Sequence, residues 1–547
     1  MLIAQMSKVK KYYADRLILD VEDFKLYKND RVGIVGLNGS GKTTFLNILT
    51  NTIQPDEGTA SVFVNYSYIT QFERDFAVEQ DNPAAGKLKV KNPDNEGLSG
   101  GEITRMKISG ALSRNSALII GDEPTSNLDW EGIELLKKEL KSFDGALLIV
   151  SHDRDFLDEI CGMILEIENG RIKLYKGNYS KYRIMKEEER KRALFEYEQY
   201  VDEKERLKQV IEEKKHKIQK MRKTPKRMGN SEARLHKMAA RQIKGVIERQ
   251  INAVKTRIEK LEAKEKPRDL PQVKLDLQKS RQLHCKVVVN SETLSKSFGT
   301  RVIFKDTGFR IFNNSKTAII GPNGSGKTTL LKMIVNGDPS ISIAHGVRIG
   351  YFSQDISILS EDKTLLENVM EESLYDETFV RILLARLFFR REDVAKKVHL
   401  LSGGEKVKAA LAKIIVSDYN VLVLDEPTNY LDVYSLEAVE KALADYMGTI
   451  IFVSHDRRLV NNVADHIISI ENCKTVCFDG TLREFEKRNE ISVKADSSKD
   501  ELMVLENRMS HILSRLSMPS KDDNAEELDQ EYQKLLIKIK ELKKKAD

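Results

Sequence analysis

Twice in 547 residues a short apolar run ends in a glycine-rich loop that closes on Lys-Thr-Thr. The first is Arg31-Val32-Gly33-Ile34-Val35 running into Gly36-Leu37-Asn38-Gly39-Ser40-Gly41-Lys42-Thr43-Thr44. The second is Lys316-Thr317-Ala318-Ile319-Ile320 running into Gly321-Pro322-Asn323-Gly324-Ser325-Gly326-Lys327-Thr328-Thr329. This order predicts strand, loop and helix. Glycines let consecutive backbone N–H groups approach phosphate oxygens, and the helix N-terminus adds a favourable dipole. Lys42 and Lys327 then face the β- and γ-phosphates of ATP, and the hydroxyls of Thr43 and Thr328 are placed for Mg2+. Every residue of both loops, 36–44 and 321–329, is a candidate for binding ATP. A chance match to one loop is plausible, but two with the same downstream partners are not.

Those partners recur in the same order over residues 1–182 and 286–490, an internal repeat that predicts two α/β domains of one kind. Leu98-Ser99-Gly100-Gly101-Glu102 and Leu401-Ser402-Gly403-Gly404-Glu405 are turns before helices. Ser99, Gly101, Ser402 and Gly404 are further candidates for gripping a phosphate. Apolar strands end at Asp122-Glu123 and Asp425-Glu426. Each aspartate is placed to hold the metal, and each glutamate one residue on to polarise the attacking water. Gln71 and Gln354 end short strands and are candidates for the metal and its water. His152 and His455 follow apolar strands and are candidates for hydrogen-bonding the γ-phosphate. Tyr13 and Phe298, each three residues before an arginine, are candidates for stacking on adenine, with Tyr12 a competing choice.

Between the repeats, charge changes character. Residues 181–285 carry 31 Lys and Arg against 17 Asp and Glu, or +14, while the whole chain is +6, which leaves −8 for the rest. The composition of 183 to about 221 favours helix, and Ile247, Ile251, Val254, Ile258 and Leu261 recur at heptad spacing. Thr224-Pro225-Lys226-Arg227-Met228-Gly229-Asn230 breaks the pattern. The linker, 183–285, therefore reads as a long antiparallel helical hairpin, its tip at roughly 222–240. Lys214, Lys215, Lys217, Lys220, Arg222, Lys223, Lys226 and Arg227 lie together with no acid among them. They are candidates for contacting RNA phosphates, a contact that does not read sequence. The tail, 491–547, has two apolar repeats around Met518-Pro519-Ser520 and reads as a second helical hairpin. No run approaches about 18 apolar residues, so no membrane-spanning helix is expected. Four cysteines, Cys161, Cys285, Cys473 and Cys477, make neither a disulfide framework nor a zinc site, which fits a reducing cytoplasm.

The ordered motifs resemble the nucleotide-binding domains of the ATP-binding cassette (ABC) superfamily over about two-thirds of the chain. That resemblance implies two domains facing head to tail, with ATP between Lys42 and Ser402 at one site and between Lys327 and Ser99 at the other. Twin domains without a membrane span, joined by a basic helical linker entered through Gly177-Asn178-Tyr179-Ser180-Lys181-Tyr182, resemble the ABC-F family. Members bind the ribosome near the exit and peptidyl sites, touching rRNA and tRNA, and their linker reaches toward the peptidyl-transferase centre. Many carry an arm inserted between the glutamine and the Ser-Gly-Gly turn. Here only 72–97 separates them, which points to the antibiotic-resistance members and implies protection against drugs of the virginiamycin M, lincosamide and pleuromutilin type. A translation factor acting without drug, an exporter ATPase and a DNA-repair ATPase are the other readings.

Overall fold

The computed structural model describes residues 1–70, 100–114, 116–126, 128–220, 230–261, 263–264, 283–353, 358–429 and 431–488, and part of 505–539. Gln71, Ser99, Gln354, Arg222, Lys223, Lys226 and Arg227, and the 72–97 segment, lie outside the described residues.

The first half is one nine-stranded sheet. Its strands are β1 (Leu2–Tyr13), β2 (Arg16–Tyr27), β3 (Arg31–Val35), β4 (Glu57–Val62), β5 (Tyr66–Ile69), β6 (Leu118–Asp122), β7 (Ala146–Val150), β8 (Met163–Glu168) and β9 (Arg171–Lys176). Their order is β4-β1-β2-β9-β8-β3-β7-β6-β5. β5, β6, β7, β3 and β8 run parallel. β6 and β7 are buried at every position. Covered on both faces, such strands read as continuous apolar runs, which is why they stand out in the sequence.

The second half repeats this plan with β10 (Val287–Phe298), β11 (Arg301–Phe312), β12 (Lys316–Ile320), β13 (Ser342–Ile343), β14 (Ile349–Phe352), β15 (Val421–Asp425), β16 (Thr449–Val453), β17 (His466–Glu471) and β18 (Lys474–Asp479). Here the sheet is divided, β11-β10-β13 and β14-β15-β16-β12-β17-β18. The first half joins its two parts through one backbone pair, Asp20 with Arg171. The second keeps one backbone hydrogen bond at the same seam, from the Lys305 N–H to the Cys473 carbonyl at 3.0 Å, and adds side chains. The Thr307 and Thr475 hydroxyls lie 2.7 Å apart, and Thr475 Oγ1 donates to the Gly308 carbonyl at 2.8 Å. The second half's helical region is present as Leu365–Met370 and Glu377–Arg386, with Val380, Leu383, Leu384 and Leu387 all buried.

The linker is two long helices, Tyr179–Lys220 and Asn230–Lys260. They run antiparallel: Arg257 pairs with Glu203 at 3.1 Å and Lys214 donates to Gln250 at 2.6 Å. Leu207, Ile211 and Ile251 are buried between them. At about 1.5 Å per residue the first helix is about 60 Å long. Its start differs from the expected 183. Asn178 Oδ1 accepts the Lys181 N–H at 3.1 Å, capping the helix four residues earlier. The return helix begins at Asn230, inside the span of 222–240 expected for the tip. In the tail, Leu505, Ile512, Leu535 and Ile539 bury one another.

Candidate functional site

Both glycine loops lie where a parallel strand feeds a helix, β3 into Lys42–Leu49 and β12 into Lys327–Val335. The last loop glycine must bend into the left-handed region, at φ 100° for Gly41 and 104° for Gly326. Lys42 Nζ donates to the Gly36 and Leu37 carbonyls at 3.0 and 3.2 Å, and Lys327 Nζ to those of Gly321 and Pro322 at 2.9 and 3.0 Å. Burial lowers both ammonium groups from their ordinary range, opposed at Lys42 by Glu123 and at Lys327 by Glu426. These are cations that still need an anion. Ser40 Oγ and Ser325 Oγ are buried without a hydrogen-bond partner, as expected of donors whose acceptor is a phosphate.

The acidic pair is arranged alike in each half. Thr43 Oγ1 donates to Asp122 at 2.8 Å, and Thr328 Oγ1 to Asp425 at 3.2 Å. A hydroxyl beside a carboxylate could hold Mg2+ together with phosphate and water ligands. Among the described residues no cluster of three or more His, Cys, Asp or Glu side chains could hold a metal by itself. The next residues, Glu123 and Glu426, are left-handed at φ 55° and 50°, strained for a residue with a side chain. Their N–H groups donate to Val150 at 2.9 Å and Val453 at 3.0 Å, which holds the turn. Oε2 of each accepts the backbone N–H of His152 or His455, while Oε1 lies 3.3 Å from the same histidine's Nε2. Burial raises the Glu123 carboxyl and lifts Glu426 to about 7; it also lowers His152, and His455 to about 4. A neutral imidazole against a buried carboxyl with an unpartnered oxygen is poised to hold a water.

The halves close over a shared cavity of about 1380 Å3. Its wall carries Lys42, Thr43, Glu123 and His152 from one half facing Ser402 and Gly404 from the other, and Lys327, Thr328, Glu426 and His455 facing Gly101. Ser402 caps its helix with a capping box to Glu405, aiming the helix N-terminus into the cavity. Tyr13 lines the cavity and Phe298 does not. Phe298 is 58% exposed at the end of its hairpin, and Arg301, whose guanidinium donates to the Gly324 carbonyl at 2.8 Å, lines the wall there with Ile303. The two hairpins end alike, Tyr13 paired with Arg16 and Phe298 with Arg301, so the interval to the arginine does not distinguish the two aromatics.

Sequence reasoning assigned no role to the aspartates that cross between halves. Asp129 Oδ2 accepts the Asn323 N–H at 3.1 Å, and Asp432 Oδ2 accepts the Asn38 N–H at 3.2 Å. Each links its own strand motif to the other half's glycine loop. The only signal available was that Leu-Asp recurs after both Asp-Glu-Pro-Thr runs. Around them, Arg154 reaches Glu440 at 2.7 Å and Asp456 at 3.3 Å, and Arg458 reaches Asp155 and Asp158, both at 2.5 Å.

The linker begins on this interface. Glu166, 3% exposed, accepts hydrogen bonds on Oε1 from Tyr182 and Tyr434, both at 2.7 Å, and on Oε2 from Lys186 at 2.7 Å. Tyr182 belongs to the linker helix and Tyr434 to the second half. Glu437, one turn beyond Tyr434, holds Arg183 at 2.5 Å and Tyr179 at 3.3 Å.

Known proteins share this plan. Residues 19–89 and 304–429 match the family described as ABC transporter. The chain is 30% identical over 560 residues to the ribosome protection protein VmlR of Bacillus subtilis (strain 168), covering 99% of this chain and 98% of that protein. It is 32% identical over 470 residues to the erythromycin resistance ATP-binding protein MsrA of Staphylococcus epidermidis, covering 84% and 96%. It is 29% identical over 562 residues to ABC transporter F family member 5 of Arabidopsis thaliana, covering 88% and 76%. Among solved structures, an RNase-L inhibitor superposes with a TM-score of 0.60 at 20% identity, covering 89% of this chain and 92% of that one, a likeness of fold. Among the described residues no helix is long and apolar enough to cross a membrane. With two cassettes sharing one cavity, a helical hairpin rooted between them and near end-to-end similarity to such relatives, the chain belongs to the ABC-F family of twin-cassette ATPases.

Proposed function

We propose that this ATPase binds the ribosome in its ATP-closed state and protects the peptidyl-transferase centre from antibiotics of the virginiamycin M, lincosamide and pleuromutilin type. The observation that carries the reading is the root of the linker. Tyr182, Tyr434 and Glu166 bring the linker helix, the second half and the first half to one point, so closing the halves sets the direction of a helix about 60 Å long. The relatives named for ribosome protection and erythromycin resistance supply the target and the purpose.

ATP enters each site between a glycine loop and the opposite Ser-Gly-Gly turn. Lys42 and Lys327 take the outer phosphates. Thr43 and Asp122, or Thr328 and Asp425, would hold Mg2+, with Gln71 and Gln354 as the further candidate ligands, and the ion would supply charge neutralisation to the phosphates. Glu123 and Glu426 orient the water and take its proton, and His152 and His455 steady the γ-phosphate. Closure presents the linker tip to the peptidyl-site tRNA and the drug pocket, while Lys214, Lys215, Lys217 and Lys220, with Arg222, Lys223, Lys226 and Arg227 beyond, meet rRNA phosphates. Only the closed state has these ribosomal contacts, so ATP and ribosome favour the same conformation. Hydrolysis removes the γ-phosphate that joins the halves, and the protein leaves.

Deleting the gene and restoring it on a plasmid, with or without substitutions at 228–237, tests the purpose. Drug susceptibility should rise on deletion, return with the intact chain and stay high with an altered tip. If deletion slows growth equally with and without drug, a translation factor acting without drug is the better reading.

A further inference from the structure

The two ATP sites share their glycine loops, acidic pairs, histidines and crossing aspartates, but the residue that follows the crossing aspartate differs. Asp129 is followed by Trp130, and Asp432 by Val433. The Trp130 indole N–H crosses to the other half and donates to the His455 backbone carbonyl at 2.9 Å. Its ring lies 5.4 Å from the guanidinium of Arg457, which itself returns to Glu134 on the Trp130 helix at 3.1 Å. His455 is in turn attached twice to Glu426, through its N–H to Oε2 and with Nε2 3.3 Å from Oε1. Trp130 thus fastens, from the opposite half, the backbone that carries the water-holding pair of the Lys327 site. At the Lys42 site Val433 stands in this place, buried in the first half's apolar core with no N–H to offer the His152 carbonyl.

We propose that Trp130 is a positioning residue for the Lys327 site alone, aligning His455 and Glu426 when the halves meet, and that the two sites therefore hydrolyse ATP at different, separately adjustable rates. The inference goes beyond ribosome protection and needs only ATP turnover. Trp130 does not line the shared cavity. It acts through the His455 backbone, and small misplacements of a water-orienting group cost large factors in rate.

The test is single-turnover hydrolysis of radiolabelled ATP by the full chain, following both bound nucleotides. Two variants remove the donor: Trp130→Phe, and replacement of Trp130 by benzothienylalanine, which exchanges only the indole N–H for sulfur and preserves shape. Losing one hydrogen bond of ordinary strength corresponds to about a tenfold change in rate. In both variants half of the bound ATP should be cleaved at the wild-type rate and the other half about tenfold more slowly, with ATP affinity within about twofold of wild type. Adding Glu426→Gln should abolish the slowed half and leave the other. Equal slowing of both nucleotides, or no slowing of either in the benzothienylalanine protein, overturns the proposal.

Discussion

Removing one hydroxyl at the root of the linker should loosen closure without unfolding either half. Tyr434 Oη lies 2.7 Å from Glu166 Oε1 and 2.6 Å from Tyr182 Oη. In Tyr434→Phe the ring stays, still beside Phe388 at 6.3 Å between centroids. Glu166 is not orphaned, because Tyr182 and Lys186 continue to donate to it. The loss is therefore one hydrogen bond to a buried carboxylate, about 1.5 to 3 kcal/mol, with the lower figure favoured by the donors that remain. The bond joins the second half to the first, so the loss falls on their association. About 1.4 kcal/mol is tenfold in an equilibrium constant. In a Glu123→Gln, Glu426→Gln background, where bound ATP is not hydrolysed, the closure equilibrium at fixed ATP should fall about tenfold, and because two ATP molecules join the halves the ATP concentration needed should rise about threefold. Fluorescence of the lone tryptophan, Trp130, reports closure because it sits on the interface. Tyr182→Phe should couple to Tyr434→Phe in a double-mutant cycle by about 0.5 to 3 kcal/mol. An unchanged ATP dependence, or a large fall in nucleotide-free melting temperature, refutes the reasoning.

Other perturbations separate strong contacts from weak ones. Arg154→Ala leaves Glu440 and Asp456 against an interface without their cation, so closure should weaken by about 3 kcal/mol, while breaking the more exposed Arg458 to Asp155 pair should cost about 1 kcal/mol and matter less in high salt; ATP titrations at two ionic strengths compare them. Gly326→Ala puts a methyl 2.3 Å from Ile303 Cγ2 at φ 104° and should abolish ATP binding at the Lys327 site, measured by nucleotide crosslinking to each half. Without nucleotide, Glu426 stands at about 7 against an ordinary 4.5, and Glu123 is also raised. Their contribution to stability is full below about pH 4.5 and lost as pH rises through about 7 for Glu426 and about 8 for Glu123, so wild type should lose more melting temperature between those limits than Glu123→Gln, Glu426→Gln. Cys161 is buried with its thiol pushed up to about 12, so iodoacetamide near neutral pH should label it only after unfolding, as mass mapping would show.

What was legible in the sequence is what local chemistry dictates. The loop from Gly36 to Thr44 does its work with its own backbone and one lysine, so nine residues in order suffice to read it. β6 and β15 were equally plain, because strands buried on both faces must be apolar until the acid that ends them. The linker seam was visible at Ile251 because a long hairpin has only itself to bury against. Hidden from the sequence were contacts whose partners lie far apart in the chain and recur in no motif. Trp130 and His455 are 325 residues apart, and Tyr434 and Glu166 are 268 apart. A tryptophan after an aspartate, or a glutamate in β8, has many bland explanations until the other half is beside it. Phe298 shows a different limit: the same interval and the same pairing, Tyr13 with Arg16 and Phe298 with Arg301, close both hairpins, yet Tyr13 lines the cavity and Phe298 does not, a difference that local spacing does not carry.

The central claim is that ATP, by joining the halves, makes the ribosome-binding form. The most direct measurement is co-sedimentation of the Glu123→Gln, Glu426→Gln protein with ribosomes at near-physiological salt, with ATP, with ADP and without nucleotide. The variant should pellet with ribosomes in ATP, well above wild type, and remain in the supernatant in ADP or without nucleotide. Equal pelleting under all three conditions, or no more than wild type in ATP, would contradict it.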